Sequence, residues 1–358
     1  MVKTNYTDMA KRILNKRSTN PFYFICYVTN KCNLKCQHCF YWKNLNSNKK
    51  ELTLEEYQKI SKNMGKIVFL SLTGGEPFLR KELPQIAETF CKNNGVRKLS
   101  IPTNGSLTKT TVEVVKHILE NCKNTSLDIS ISIDGIEEDN DKIRGKGSFK
   151  KAVATYNELK KLKKDYKKLG ISIVTTLNAL NQDKIMEIYD YIKNKLPEAT
   201  FSVNLIRGVP KNPKTVGIDI NKYELITNAI TEDYKKNKFN KNAPLSKIST
   251  AKNILRSNFI AKTYKNKKYL SQCYAGKLSG VIYENGDVYP CELLSTKIGN
   301  IKDYDYNFKK LWKSENATKI IESIKKDKCF CTHECFWTTN ILFNPKFHYK
   351  LLLESIKL

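Results

Sequence analysis

Residues 22–40 read FYFICYVTNKCNLKCQHCF. The first seven are apolar or aromatic and β-favouring, which predicts a buried strand over 22–29. Three cysteines follow at once, Cys32, Cys36 and Cys39, spaced Cys-x3-Cys-x2-Cys. A loop this short can aim three thiolates at one point, and thiolate sulfur is a soft ligand suited to zinc or to iron–sulfur clusters. Four sulfurs would close a site, whereas three leave a position open. From spacing alone, His38 could be a fourth ligand of a zinc ion instead.

Working outward, strand-like and helix-like stretches alternate. Strands are expected at 67–72, 98–102, 127–133, 171–177 and 200–206. Helices are expected at 54–64 (Thr53 as N-cap, Glu55 and Glu56 in the first turn), 81–93, 111–121, 151–169 (closed by Gly170) and 182–195. Such alternation is the mark of an α/β fold with a parallel sheet. Periodicity does not separate an open doubly wound sheet from a partial barrel. In either, ligands bind at the C-terminal ends of the strands. Thr73-Gly74-Gly75-Glu76-Pro77, Thr103-Asn104-Gly105, Ser132-Ile133-Asp134-Gly135 and Arg207-Gly208 all fall at such ends, as the cysteine loop does.

Together, the three-cysteine loop, the Gly-Gly-Glu-Pro stretch and the Ser-Ile-Asp-Gly stretch resemble the radical S-adenosylmethionine (SAM) superfamily. The resemblance implies a partial (β/α)6 barrel over about 22–208. It implies that Cys32, Cys36 and Cys39 hold a 4Fe–4S cluster whose fourth iron is chelated by SAM. It also implies that electron delivery splits SAM into methionine and a 5′-deoxyadenosyl radical, which abstracts hydrogen from a substrate C–H bond. On the same basis His38 lies beside adenine, and Glu76 with the Gly74–Gly75 backbone receives the methionine ammonium. Ser132 and Asp134 meet the ribose and the carboxylate, with Thr103 and Asn104 nearby. Arg144 either clamps the SAM carboxylate or forms a surface ion pair, and Asn204 is a weaker candidate for the adenine edge. Phe40 and Tyr41 could shield the cluster or merely pack.

Beyond the alternating part, residues 209–272 hold 14 Lys and Arg against 4 Asp and Glu. They read as a basic helical linker, with helices expected near 223–237 and 249–264, and are the best candidate for contact with an anionic group. From Cys273 the pattern Cys-x12-Gly-x4-Cys runs through Gly286 to Cys291, and Cys329, Cys331 and Cys335 follow. This resembles the SPASM extension or its shorter Twitch form. Five cysteines, where the long form uses seven for two clusters, imply one auxiliary 4Fe–4S cluster held by four of them. A zinc site of Cys329, Cys331, His333 and Cys335 is the alternative. The expected division is therefore 1–21 helix and linker, 22–208 barrel, 209–272 basic linker, 273–340 auxiliary-cluster domain and 341–358 a terminal helix. Cys26, Cys91, Cys122, His117 and His348 receive no function.

The 358 residues carry a formal charge of +28 and 11 cysteines, an odd number. Hydrophobic content of 40% indicates a folded chain. No apolar run is long enough to span a bilayer, and no signal-peptide core opens the chain. A cytoplasmic location with metal-bound rather than disulfide-bonded cysteines is expected. Neither a serine–histidine–acid arrangement nor a phosphate-binding Gly-x4-Gly-Lys loop occurs, which removes hydrolase and ATPase readings. The expected partners are a peptide, protein or small-molecule substrate and an electron donor such as flavodoxin or ferredoxin. Peptide or protein maturation is favoured, with dehydrogenation or epimerisation of a sugar, cyclitol or nucleotide-linked compound as the alternative. A zinc-bearing, basic RNA-binding module is the distant rival; its binding would fall steeply with salt.

Overall fold

The computed structural model describes residues 20–236 and 246–358. The helix expected within 1–21 lies outside these residues, apart from the last two. Six strands follow one another in the order of the chain: β1 (Tyr23–Thr29), β2 (Phe69–Gly74), β3 (Lys98–Thr103), β4 (Ser126–Ser132), β5 (Leu169–Leu177) and β6 (Thr200–Leu205). All five pairings between neighbours are parallel, and the sheet order runs β6-β5-β4-β3-β2-β1. A doubly wound sheet reverses direction at a switch point. Here every crossover steps the same way, which is the winding of a barrel.

The crossovers are helical: α1 (Leu54–Lys62), α2 (Leu83–Asn94), α3 (Thr108–Asn121), α4 (Glu138–Arg144) with α5 (Ser148–Asp165), and α6 (Ile185–Lys195). Thr53 caps α1 in a capping box closed by Glu56. The helix expected over 151–169 instead occupies Ser148–Asp165, so Gly170 does not close it. Gly170 lies in β5 beside Asp128 of β4, and a Cβ there would come within 2.7 Å of the Asp128 carboxylate. Close approach, not helix termination, explains that glycine. Helix α4 was not foreseen, because seven largely polar residues give too short a window for periodicity.

Burial alternates along the strands. Leu70, Leu72, Leu99, Ile101, Ile129, Ile131, Ile171 and Ile173 are buried on the helix-covered face, each worth roughly 1.5–3 kcal/mol. Register puts Ser71 beside Ser100 and Ser130 beside Ser172 on the other face, where Ser71, Ser100 and Ser130 are half-buried and Ser172 is buried. Parallel sheets are usually apolar on both faces; this one is polar on the inside.

The sheet does not end with the barrel. After α7 (Ile220–Lys236) and α8 (Ser246–Asn266), β7 (Ser279–Ile282) pairs in parallel with the free edge of β1. β8 (Asp287–Tyr289) and β9 (Gly299–Asn300) extend it antiparallel to nine strands. The remaining helices are α9 (Phe308–Trp312), α10 (Glu315–Lys326), α11 (Glu334–Phe343) and α12 (His348–Ile356). A boundary at 340/341 therefore cuts through α11. Within the basic helical stretch 209–272, α8 lies against α7, α11 and α12. No helix among the described residues is long and apolar enough to cross a membrane.

Candidate active site

The loop after β1 is fastened on both sides before any ligand is considered. The Asn46 side chain accepts from Cys32 N at 3.1 Å and donates to Cys32 O at 3.0 Å. Gln37 N donates to Ile143 O at 2.9 Å, and Asn212 N donates to Gln37 O at 2.8 Å. Held this way, Cys32, Cys36 and Cys39 line one cavity of about 210 Å³ at the C-terminal ends of the strands. Burial raises all three thiols, Cys32 and Cys39 to about 11.

The second motif forms the wall beside them. Gly74 and Gly75 both line the cavity. A Cβ on Gly75 would stand 2.3 Å from Lys31 O, and one on Gly74 would stand 2.2 Å from Thr29 O. The glycines let this turn lie against the backbone that leads into the cysteine loop. Glu76 does not reach the cavity. Its carboxylate is fully buried and accepts from Phe78 N at 3.2 Å, Thr103 Oγ1 at 2.9 Å and Asn104 N at 2.7 Å. Burial outweighs these three bonds and lifts Glu76 to about 7. Its observed work is to hold Thr103 and Asn104, which do line the cavity.

Asp134 likewise stands behind the wall. It is fully buried, accepts from Thr176 N at 2.7 Å, and pairs with Arg144 Nε at 2.7 Å. The ion pair expected at the surface is thus an interior one. Arg144 is 7% exposed, and its Nη1 lies 3.8 Å from Cys36 Sγ. Burial disfavours the Arg144 cation, but Asp134 and the cysteine sulfurs outweigh it and keep it charged. His38 Nε2 lies 3.5 Å from Asp134, while its buried Nδ1 has no hydrogen-bond partner among the described residues. Burial lowers the His38 pKa despite Asp134. Of the nine residues expected around SAM, seven line the cavity: His38, Gly74, Gly75, Thr103, Asn104, Ser132 and Arg144. Asn204 is there too.

In the C-terminal part of the chain Cys273, Cys291 and Cys331 are each raised by burial to about 12, and Cys329 is raised as well. These four lie within electrostatic reach of one another. Cys335 keeps different company. Its Sγ accepts from Tyr23 OH at 3.2 Å and its N–H donates to His333 Nδ1 at 3.3 Å. Burial would raise Cys335, but His333 and Arg207 outweigh that and lower it. His333 is no spare ligand, because its Nε2 is bonded to Glu292 and its Nδ1 faces Cys335 N and Arg207. That argues against a zinc ion on Cys329, Cys331, His333 and Cys335.

Arg207 was quoted at the end of the sixth strand but given no role. It lines the cavity, lies over the Phe40 ring at 5.3 Å, and pairs with Glu334 at 3.0 Å and Glu292 at 3.7 Å. Tyr27 OH donates to Glu292 at 2.5 Å. This buried cluster ties the barrel to the C-terminal cysteines. The available signal was the pair of acidic residues beside cysteines, Glu292 after Cys291 and Glu334 before Cys335.

The radical SAM superfamily profile matches residues 26–192, and the profile of SPASM, an iron–sulfur cluster-binding domain, matches 273–336. Fe-coproporphyrin III synthase of Methanosarcina barkeri is 33% identical over 49% of this chain and 42% of its own length. A GTP 3′,8-cyclase of Helicobacter pylori is 27% identical over 84% of this chain and 91% of its own. The antilisterial bacteriocin subtilosin biosynthesis protein AlbA of Bacillus subtilis is 26% identical over 86% and 65%. Among solved structures, Streptococcus suis SuiB bound to S-adenosylmethionine superposes with a TM-score of 0.60 at 18% identity, covering 88% of this chain and 71% of SuiB. Residues 26–192 carry a radical SAM domain and residues 273–336 a SPASM domain, and these domains imply SAM, the 4Fe–4S cluster that binds it, and an auxiliary iron–sulfur cluster as cofactors.

Proposed function

We propose that this radical SAM enzyme modifies a peptide or protein by abstracting hydrogen from a C–H bond, as an oxidoreductase of the maturase type. The observation that carries the radical chemistry is the cavity itself, where three thiols, a buried cation and two glycine-turn residues share one wall. The donor set fits the group, because three soft sulfurs leave one iron free for SAM. Cys32, Cys36 and Cys39 would hold the cluster. When bound, cluster and SAM supply a 5′-deoxyadenosyl radical by one-electron cleavage.

The remaining work belongs to this chain's own residues. Arg144, kept charged by Asp134, offers the rest of its guanidinium to the SAM carboxylate. His38 Nδ1 and the Asn204 amide would bind the adenine edge, and Ser132 would bind the ribose. Thr103 and Asn104, held by Glu76, complete the polar rim. Leu34, Phe40 and Leu45 on the same wall exclude water, which protects a reactive radical. Cys273, Cys291, Cys329 and Cys331 would hold the auxiliary cluster, and Cys335 would stay free of it.

Similarity to AlbA over most of this chain supports the peptide reading. The greater coverage of the GTP cyclase, together with the +28 charge, supports a second reading in which the substrate is a nucleotide-linked compound. A cytoplasmic setting and a flavodoxin- or ferredoxin-type electron donor follow from the need for low-potential electrons. The test is anaerobic reconstitution, reduction by dithionite and assay of 5′-deoxyadenosine. Release with wild type and its absence in a Cys32/Cys36/Cys39 triple alanine variant is expected; equal behaviour of the two would end the proposal. Incubation with candidate precursor peptides and with nucleotides, read by mass change, then separates the two substrate readings.

A further inference from the structure

Helix α12 carries its apolar stripe outward. Tyr349, Leu352, Leu353 and Ile356 stand at i, i+3, i+4 and i+7, the spacing that puts four side chains on one face of a helix. That face meets solvent: the four are 70%, 59%, 40% and 69% exposed. The opposite side holds Leu351, which packs on the core, but also the buried Ser355 and the Glu354 side chain, which is 15% exposed. A helix lying on a globular core normally turns its richest apolar face inward. Among the described residues no other helix exposes more than one large apolar side chain. Apolar residues scattered singly over a surface need no explanation, whereas four gathered on one stripe mark a contact surface.

The surroundings of the stripe are cationic. Lys350 and Lys357, seven residues apart along one edge of it, are exposed, as is Lys346 just before the helix. Lys350 Nζ lies 5.8 Å over the ring of Phe259 in α8, the helix against which α12 packs. Lys262, one turn further along α8, is exposed. Helix α8 as a whole carries Lys247, Lys252, Arg256, Lys262 and Lys265 and no Asp or Glu. The carboxylates of the helices packed together here are already paired. Glu354 meets Lys357 at 3.5 Å, and Glu224 of α7 meets Lys265 at 2.7 Å. Glu232 meets Lys235 at 2.8 Å, Asp233 meets Lys193 at 2.6 Å, and Glu334 of α11 meets Arg207 at 3.0 Å. The excess of positive charge in the basic stretch 209–272 thus borders an exposed apolar face.

We infer that α12, with the basic helix α8 beside it, rests on the surface of an anionic membrane. Tyr349, Leu352, Leu353 and Ile356 enter the acyl boundary, and Lys262, Lys346 and Lys350 meet the phosphates of the headgroups. A stable protein partner needs roughly 800 Å² on each side, more than one stripe of a nine-residue helix offers. A nucleic acid would use the lysines and leave the apolar side chains in water. A bilayer surface uses both, because an interfacial helix buries its apolar face to a shallow depth while long cationic side chains reach up to the headgroups. The helix lies on the bilayer without crossing it, and among the described residues no helix is long and apolar enough to cross. The inference is independent of the reaction proposed above.

The experiment is co-sedimentation of the reconstituted protein, under argon and at about 0.15 M salt, with vesicles of phosphatidylcholine alone or mixed with phosphatidylglycerol. Pelleting with the mixed vesicles, and little with phosphatidylcholine, is expected. Leu352→Ser/Ile356→Ser should weaken that binding by about tenfold or more, and Lys262→Gln/Lys350→Gln by about fivefold or more. Leu180→Ser/Val216→Ser, which removes two exposed apolar side chains from loops elsewhere, should leave it unchanged. The replaced side chains of α12 already stand in water, so the urea midpoint should stay that of wild type. Should it fall, Tyr349→Ser/Leu353→Ser, the other two members of the stripe, serve instead. No pelleting with the mixed vesicles, equal pelleting by wild type and the α12 serine pair, or an equal loss in the loop pair overturns the inference. So does a dimer in lipid-free solution that the α12 serine pair dissociates, because the stripe would then face a second copy of the chain.

Discussion

The two groups of cysteines are built in opposite ways. Cys32, Cys36 and Cys39 lie within eight residues on one loop, and the loop's own hydrogen bonds shape it. The C-terminal group is gathered from 63 residues, with Cys273 before β7, Cys291 after β8, Cys329 and Cys331 between α10 and α11, and Cys335 in the first turn of α11. In the first, spacing identifies the members. In the second, spacing nominates five and only the fold shows that one keeps other company. A site carried by one loop can be read locally, whereas a site assembled from several elements is defined by what the elements bring beside it.

The harshest trial of that contrast is Cys36→Ala. It should lower 5′-deoxyadenosine release by about a thousandfold or more and remove about four of roughly eight irons, read by anaerobic assay and metal analysis. Cys331→Ala should also remove about half the iron but leave the remaining cluster able to cleave SAM. A total loss of cleavage would mean that the two groups are not separate. Third is Arg144→Met, which leaves Asp134 buried without its counter-charge and should cost about 3–5 kcal/mol in urea unfolding of the apoprotein. A smaller effect follows from Glu76, whose folded pKa of about 7 exceeds the ordinary 4.5. The folded state then binds the proton more tightly than the unfolded chain. The contribution of Glu76 to stability is fully present below pH 4.5, declines as pH rises toward 7, and is absent above it; Glu76→Gln should remove that component from the pH dependence of the urea midpoint. Smallest is Cys335→Ala, which should leave the iron content of wild type intact. Loss of iron there, with retention in Cys329→Ala, would reverse the partition.

The order of elements was legible because the strands are short apolar runs and the crossover helices are amphipathic. Their ends were less so. The helix expected to stop at Gly170 stops near Asp165, since that glycine answers to a neighbouring strand. Motif residues came together because loops at one end of a parallel sheet must converge. Which of them face the cavity was not legible. Glu76 and Asp134 have the same charge and motif context as wall residues, and only burial shows that they brace Asn104 and Arg144 from behind. Arg207 was given no role because its partners, Glu292 and Glu334, are distant in sequence. The polar inner face was missed for a related reason: 67–72 reads as a continuous run, although Ser71 within it turns to the open side.

The pairing of β7 with β1 carries a consequence for how this protein is made. The first strand leaves the ribosome some 250 residues before the one that covers its outer flank. Throughout that interval the nascent barrel presents a hydrophobic strand with unpaired amides and carbonyls, an invitation to pair with another chain. Release of a fragment ending before Ser279 should therefore give aggregates rather than a lone barrel. In the cell, chaperone protection would matter most during synthesis of the basic middle segment.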